Sequence, residues 1–355
     1  MLSKQHILAG ILAGALSLAL IGCAHSSPTQ PSNEDNTSTA ELTPPPYTGP
    51  INPLTGLPLE KGSVNDRPVA IMLNNLKKAT PQMGVGQADI IYEVPAEGGI
   101  TRMLAVYQNT EDVGEIGSVR SSRPYYLELA WGHDAIYLHA GGSPEAYEKI
   151  KEWDVTALDC VRGPYEGSLF WRDAERRKTM GYEHSVLTSG AAIADYFPTY
   201  SFRKTHKEGY TYSMTFQEDG TPENGQAANT VTVPVSHYKT GLFQYDEQRR
   251  CYLVSQYDAP YVDGNTNEQV GVSNLLILKT PCTVIPGDDH GRLRVELTSG
   301  DGFYACGGQY IPITWQKRSL HQPIYYYTKE GQPLSLQQGN SYVCIVPTGC
   351  EVTFS

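Results

Sequence analysis

The chain has 355 residues, with 27 Lys and Arg against 38 Asp and Glu, giving a formal net charge of −11. That balance supplies no field to hold nucleic-acid phosphates, so no nucleic acid is expected as a partner. The length leaves room for one large domain or two coupled ones with a sizeable core.

Residues 1–22 carry a short polar start with Lys4 and His6, an apolar run over 7–21, and then Leu20, Ile21, Gly22 and Cys23. This is the layout of a secretory signal ending in a lipobox. The run falls short of the roughly 20 apolar residues a spanning helix needs, and it stops at a small residue before a cysteine. Cys23 is therefore read as the lipidated mature N-terminus, holding the protein on the extracytoplasmic face of the cell membrane without crossing it. Residues 23–50 follow as the lipidated cysteine and a tether rich in Pro, Ser, Thr and Asn, with almost nothing to bury. At about 5 to 6 Å per square root of residue number, such a tether reaches on the order of 30 Å.

From 51 to 199 short apolar strands alternate with helical segments. Residues 68–74, 88–94 and 100–108 read as strands by their β-branched and aromatic content. A helix is expected from about Arg123, a buried strand over DAIYLHA, and a second helix over SPEAYEKIKEW, with Ser143 as its cap and Pro144 at its first position. From 200 to 355 the pattern becomes short strands separated by turn residues, with YDEQRRCY and YTKEGQPL as hairpin connections. The expected class is α+β: an N-terminal α/β part with a mixed sheet and helices, and a mainly antiparallel C-terminal part, either separate from the first or packed with it as one unit.

Two strand-to-helix junctions follow each other, at Arg120, Ser121, Ser122, Arg123 and at His139, Ala140, Gly141, Gly142, Ser143. In a parallel arrangement both lie at the carboxyl edge of the sheet, where open α/β folds bind ligands. Each would present unpaired N–H groups at a helix start, and two guanidiniums could grip carboxylate or phosphate in a planar fork. The candidate ligand-binding residues are Arg102, Arg120, Ser122, Arg123, His139, Gly141, Gly142, Ser143, Arg172 and Asp173. The competing structural reading has Arg120 and Arg123 paired with acids such as Glu97, Glu128 or Asp173, and His139 as a core histidine. Glu97 and Asp173 are the carboxylates nominated as bases, and His184 could complete the pocket. Glu175 to Lys178 are expected to form an exposed helical turn, and His133 and Asp134 to be solvated.

Six cysteines follow Cys23: Cys160, Cys251, Cys282, Cys306, Cys344 and Cys350. An exported compartment permits disulfides, so at least one is expected in the C-terminal half, with Cys160 free. No CxxC occurs and no metal pattern is visible, so neither metal nor cofactor is expected.

The stretches NPLTGLP (52–58), RPVAIMLNN (67–75), GSVRSSRPYYLELA (117–130), YLHAGGSPEA (137–146) and FWRD (170–173), with FQYDEQRRCYLV and the run from PITWQKRSL to VCIVP, carry a resemblance to the YerB-like bacterial lipoproteins over about 52–347. That family has no assigned function. The resemblance implies a lipoprotein with an α+β N-terminal part and a β-rich C-terminal part. GITRMLAVYQ, GSVRSSRPYY and YLHAGGSPEAYEKI also loosely resemble the motif order of LytR-CpsA-Psr phosphotransferases, which place arginines and an aspartate around a polyprenyl pyrophosphate. Here Met103 stands where that aspartate is expected, and Ser121 follows Arg120. The favoured expectation is a noncatalytic lipoprotein binding an anionic cell-wall polymer or an envelope protein. The alternative is an enzyme acting on cell-wall glycopolymer or lipid-linked phosphate, with Arg120 and Arg123 stabilising charge.

Overall fold

Apolar runs that do not alternate mark strands covered on both faces. Strands β1 (Val69–Asn74), β2 (Ile90–Pro95) and β3 (Thr101–Tyr107) are largely such runs and are buried at every position, Glu93 and Arg102 included. The computed structural model describes residues 47–355. The signal segment and Cys23 lie outside the described residues, as does the tether apart from residues 47–50, which are exposed.

Strand β1 pairs antiparallel with β3 and parallel with β5 (Ile136–His139), and β5 pairs parallel with β6 (Ala157–Asp159). Strand β2 completes the join between the two halves. It runs antiparallel to β3 on one side and parallel to Ser341–Pro347 on the other, with Ile90 opposite Ser341. Beyond that strand come Asn274–Thr280, Ser299–Cys306, Gln309–Gln316 and Gln226–Ala227, and Tyr325–Thr328 also pairs with Gln309–Gln316, so the halves share one eleven-stranded mixed sheet. The fold is α+β.

The period of two along each strand divides the core between the faces of this sheet. Ala70, Met72, Leu104, Val106, Leu276 and Ile345 point to one side and pack with Tyr125, Tyr126, Leu127 and Leu129 of α1 (Pro124–Gly132). Ile71, Leu73, Met103, Ala105, Leu275 and Val346 point to the other and pack with Val231, Phe243 and Val254 of a second, six-stranded antiparallel sheet. The expected YDEQRRCY hairpin lies in that second sheet, joining Thr240–Asp246 to Cys251–Gln256. Thr353–Phe354, near the chain end, adds a further strand beside Thr230–Pro234.

The helix starts follow the cap rules. Pro144 opens α2 (Pro144–Glu152), and the Ser143 Oγ accepts from the Ala146 N–H at 3.2 Å. A small sheet of β4 (Glu115–Gly117), β7 (Trp171–Arg172) and β8 (Val186–Ser189) stands apart from the main one. Helix α3 (Ala174–Thr179) follows β7, and α4 (Gly190–Tyr196) is capped by Ser189.

Three expectations are corrected. The disulfide expected in the C-terminal half is absent: Cys160, Cys251, Cys282, Cys306, Cys344 and Cys350 are all free. Several thiols instead have acceptors of their own, Cys306 donating to Gln337 Oε1 at 3.2 Å and Cys350 to the Pro234 carbonyl at 3.3 Å. Arg176 in the turn expected to be exposed is buried, with its guanidinium on the carbonyls of Ala79 and Pro81. His133 and Asp134 are also buried rather than solvated. Tyr92 OH meets His133 Nε2 at 2.8 Å, while Asp134 collects Arg203 and His206.

Candidate functional site

The second junction, at His139 to Ser143, leaves β5 of the parallel set, while the first follows β4 of the small sheet and is brought to the same edge by Val119 and Arg120 running beside β1, where Arg120 N donates to Met72 O at 2.9 Å. The junctions then pair with each other. Ser122 N donates to Gly141 O at 2.8 Å, Ser143 N to Ser122 O at 3.2 Å, and Ala140 N to Arg120 O at 3.0 Å. Several N–H groups expected to await a ligand are therefore already used. Gly141, at φ +79°, sits where a side chain would be strained, and its N–H donates to Asp159 Oδ1 at 2.7 Å.

Asp159, at the end of β6, is a framework residue that the sequence reading missed. It also accepts from Val161 N and from Tyr147 OH, and its carboxylate lies 3.8 Å from His139 Nδ1. Burial outweighs the Asp159 charge and keeps the His139 pKa below its ordinary value. His139 Nδ1 is 2.8 Å from Gly141 O, and Nε2 is buried without a partner. The Ser122 hydroxyl accepts from Tyr137 OH at 2.9 Å. Ser122, His139 and Ser143 thus hold the edge together beneath the surface, and Gly142, half-buried, lies beside Ser122 in the same pairing.

Three arginines converge above this framework. Glu97, on the turn between β2 and β3, receives Arg123 through both Nε and Nη2 and Arg102 through Nη2 at 2.5 Å. Burial pushes the Glu97 carboxyl up, but Arg102 and Arg123 outweigh it and hold its pKa at about 2. A base with so low a pKa is poorly matched to proton abstraction near neutrality. Arg123 also donates to Ser122 O at 2.7 Å, so its fork is filled by protein groups. Arg102 reaches Ser121 O at 3.3 Å, and its Nε is buried without an acceptor. Tyr126 OH, 2.9 Å from Arg102 O, ties that strand to α1.

Arg120 is held differently. Its Nη1 donates to Glu183 O at 2.9 Å and to Glu183 Oε2 at 3.3 Å, and the Glu183 side chain is 64 % exposed. Burial, followed by the like charge of Arg102, lowers the Arg120 pKa. Glu183 arrives through the small sheet, where Val119 N donates to Val186 O at 2.8 Å. Its neighbour His184 is buried with Nδ1 2.7 Å from Asn74 Nδ2, at the end of β1. Only the pairing of β4 with β8 makes Glu183 a neighbour of Arg120, a relation that sequence distance conceals.

Arg172 and Asp173 stand to one side of this group in their bonding. Arg172 stacks on the Tyr182 ring at 3.7 Å and donates to Tyr182 O, with Nε 3.4 Å from Glu166 Oε1. Asp173 caps α3 by accepting from Arg176 N at 2.7 Å. Among the described residues, no group of three or more His, Cys, Asp or Glu is placed to hold a metal ion.

Residues 54–203 match the N-terminal domain, and residues 231–343 the C-terminal domain, of the protein family of unknown function DUF3048. The chain belongs to the DUF3048 family. A Bacillus subtilis (strain 168) member described as "Putative lipoprotein YerB" is 33 % identical over 301 residues, spanning 83 % of this chain and 86 % of the relative. The crystal structure of YerB from Bacillus subtilis superposes with a TM-score of 0.73 at 28 % identity, covering 85 % of this chain and 99 % of that one. The arginine-bearing edge lies within the part matched to the DUF3048 N-terminal domain.

Proposed function

We propose that this DUF3048 protein is a lipoprotein anchored through Cys23 on the extracytoplasmic face of the membrane, and that its sheet edge binds an anionic cell-envelope ligand. The lipobox over 20–23 and the description of the Bacillus relative support the anchor. Among the described residues no helix is long and apolar enough to cross a membrane.

The observation that carries the ligand reading is the bonding of Arg120. It is a largely buried guanidinium whose carboxylate partner is a solvent-exposed glutamate, beside a second guanidinium, Arg102, with a buried unpaired Nε. A phosphate or carboxylate entering here displaces only the exposed carboxylate end of Glu183 and gains charge-assisted hydrogen bonds. Arg123, by contrast, serves with Glu97 as the wall of the site. Ser122, His139, Gly141, Gly142 and Ser143 set its floor, while Arg172 and Asp173 flank it.

Titration of inorganic pyrophosphate into the full chain in detergent tests the proposal. The expected result is saturable binding that weakens about tenfold or more in Arg120→Lys, corresponding to loss of one or two charge-assisted bonds. Equal affinity in the variant, or no binding in either protein, overturns it.

A further inference from the structure

The second sheet presents a groove of about 610 Å³ on the side turned away from the core. Its floor is a row across four strands: Thr232 pairs with Leu242, Leu242 with Ser255, and Ser255 with Pro260. Successive residues of a strand face opposite ways, so Val231, Phe243 and Val254 fill the core while this row faces the groove. Tyr238, 47 % exposed, and Tyr257 are its aromatic walls, with their rings 6.0 Å apart at 67°.

Two features mark the groove as more than an unused sheet face. Tyr257 and Asp258 form a two-residue hairpin loop with φ of 55° and 61°, where Asn and Gly are the favoured residues. A bulky side chain in the left-handed region persists only where its surroundings fix it, and such outliers gather at binding sites. Here Tyr257 OH donates to Asn75 O at 2.5 Å, which holds the ring in place. The second feature is Gln256. It is 4 % exposed, and neither its Nε2 nor its Oε1 has a hydrogen-bond partner. It follows Ser255 in the strand, so its side chain leaves on the face opposite the row, at the seam between the groove and an adjoining cavity of about 280 Å³ that shares Tyr257 and Pro260. Buried amides are nearly always paired, so one left unpaired at the seam of two cavities calls for a partner of mixed donor and acceptor character.

The lining chemistry selects the class of that partner. Among the described residues of the groove, Asp258 is the only charged side chain, so a polyanion meets no cation there. Hydroxyls, an amide and two aromatic rings instead suit a ligand with apolar C–H faces and many neutral hydroxyls. We propose that this groove is a second binding site, distinct from the arginine edge, and that it takes a neutral glycan chain. The site is joined to the arginine edge through the chain. Ser236 Oγ, on the turn leading to Tyr238, donates to the carbonyl of Gly99, on the turn that carries Glu97.

Isothermal titration of chitotetraose and cellotetraose into the full chain in detergent tests the assignment. Saturable binding of at least one of them is expected, with affinity reduced tenfold or more in Tyr238→Ala and in Gln256→Leu while the melting temperature holds in both. Binding unaffected by saturating pyrophosphate is also expected, which separates this site from the arginine edge. Arg120→Lys serves as the matched variant and should bind both glycans normally. Absence of binding by both glycans, undiminished affinity in Tyr238→Ala, or tighter binding of the anionic glycan hyaluronate would overturn the assignment, and none of these outcomes touches the Arg120 reading.

Discussion

The Glu93 carboxylate and the Lys239 ammonium lie 3.2 Å apart, with side-chain exposures of 0 % and 1 %. Glu93 belongs to β2 and Lys239 to the turn that precedes Thr240–Asp246, so the pair joins the main sheet to the second one. The carboxylate also accepts from Asn75 at 2.8 Å, Thr101 at 2.7 Å and Tyr342 at 2.7 Å. A buried pair of this kind adds little by itself against apolar packing, but removal of one partner leaves a charge stranded.

Lys239→Met should therefore destabilise the protein by about 3 to 5 kcal/mol, and adding Glu93→Gln should restore much of the loss. Urea unfolding of the two variants checks this. Equal stability of the single variant and the wild type would show that the pair does not couple the layers.

Glu97 gives the arginine edge an acid-sensitive contribution. Its folded pKa of about 2 lies below the ordinary 4.5, so the stabilisation is full above pH 4.5 and disappears as pH falls through 2. With solvent screening of a partly exposed group, its size is about 1 to 2 kcal/mol. The stability difference between wild type and Glu97→Gln should accordingly shrink from pH 6 to pH 2. A difference that stays constant over that range would contradict the assigned ion triad.

Arg123 and Arg120 should separate in their roles. Arg123→Lys removes a two-point contact with Glu97 and should cost about 1 to 3 kcal/mol of stability. Arg120→Lys, whose partner is exposed, should cost less than about 1 kcal/mol. Thermal melts of the two variants, run alongside pyrophosphate titration, decide between these roles.

The six cysteines should all be alkylated after denaturation without reductant, with no crosslinked peptide pair in mass spectrometry. In the native state their reaction should be slow. Burial pushes the thiols of Cys160 and Cys282 up to about 12 and that of Cys306 to about 11, which suppresses the reactive thiolate.

Cys23→Ala should shift the protein from the membrane fraction to a soluble or uncleaved form and leave the melting temperature of the folded region unchanged. Normal lipid labelling of that variant would remove the proposed anchor.

The sequence by itself determined the strands, the helix starts and the place of the arginines. β-Branched and aromatic content identifies β1, β2 and β3, Ser143 with Pro144 marks the start of α2, and the junctions at Arg120 to Arg123 and at His139 to Ser143 follow from short-range chemistry. These signals are local, acting within a few residues through periodicity and capping. Tertiary structure alone decided which charges meet. Glu97 takes Arg123 across 26 residues, Glu183 reaches Arg120 across 63, and Glu93 meets Lys239 across 146. It also decided that β2 lies beside Ser341–Pro347, making one sheet of two halves with different patterns, and that the five C-terminal cysteines stay unpaired. Pairing across a sheet depends on strand order and register, and the residues that set them lie far apart in the chain and carry no shared local pattern.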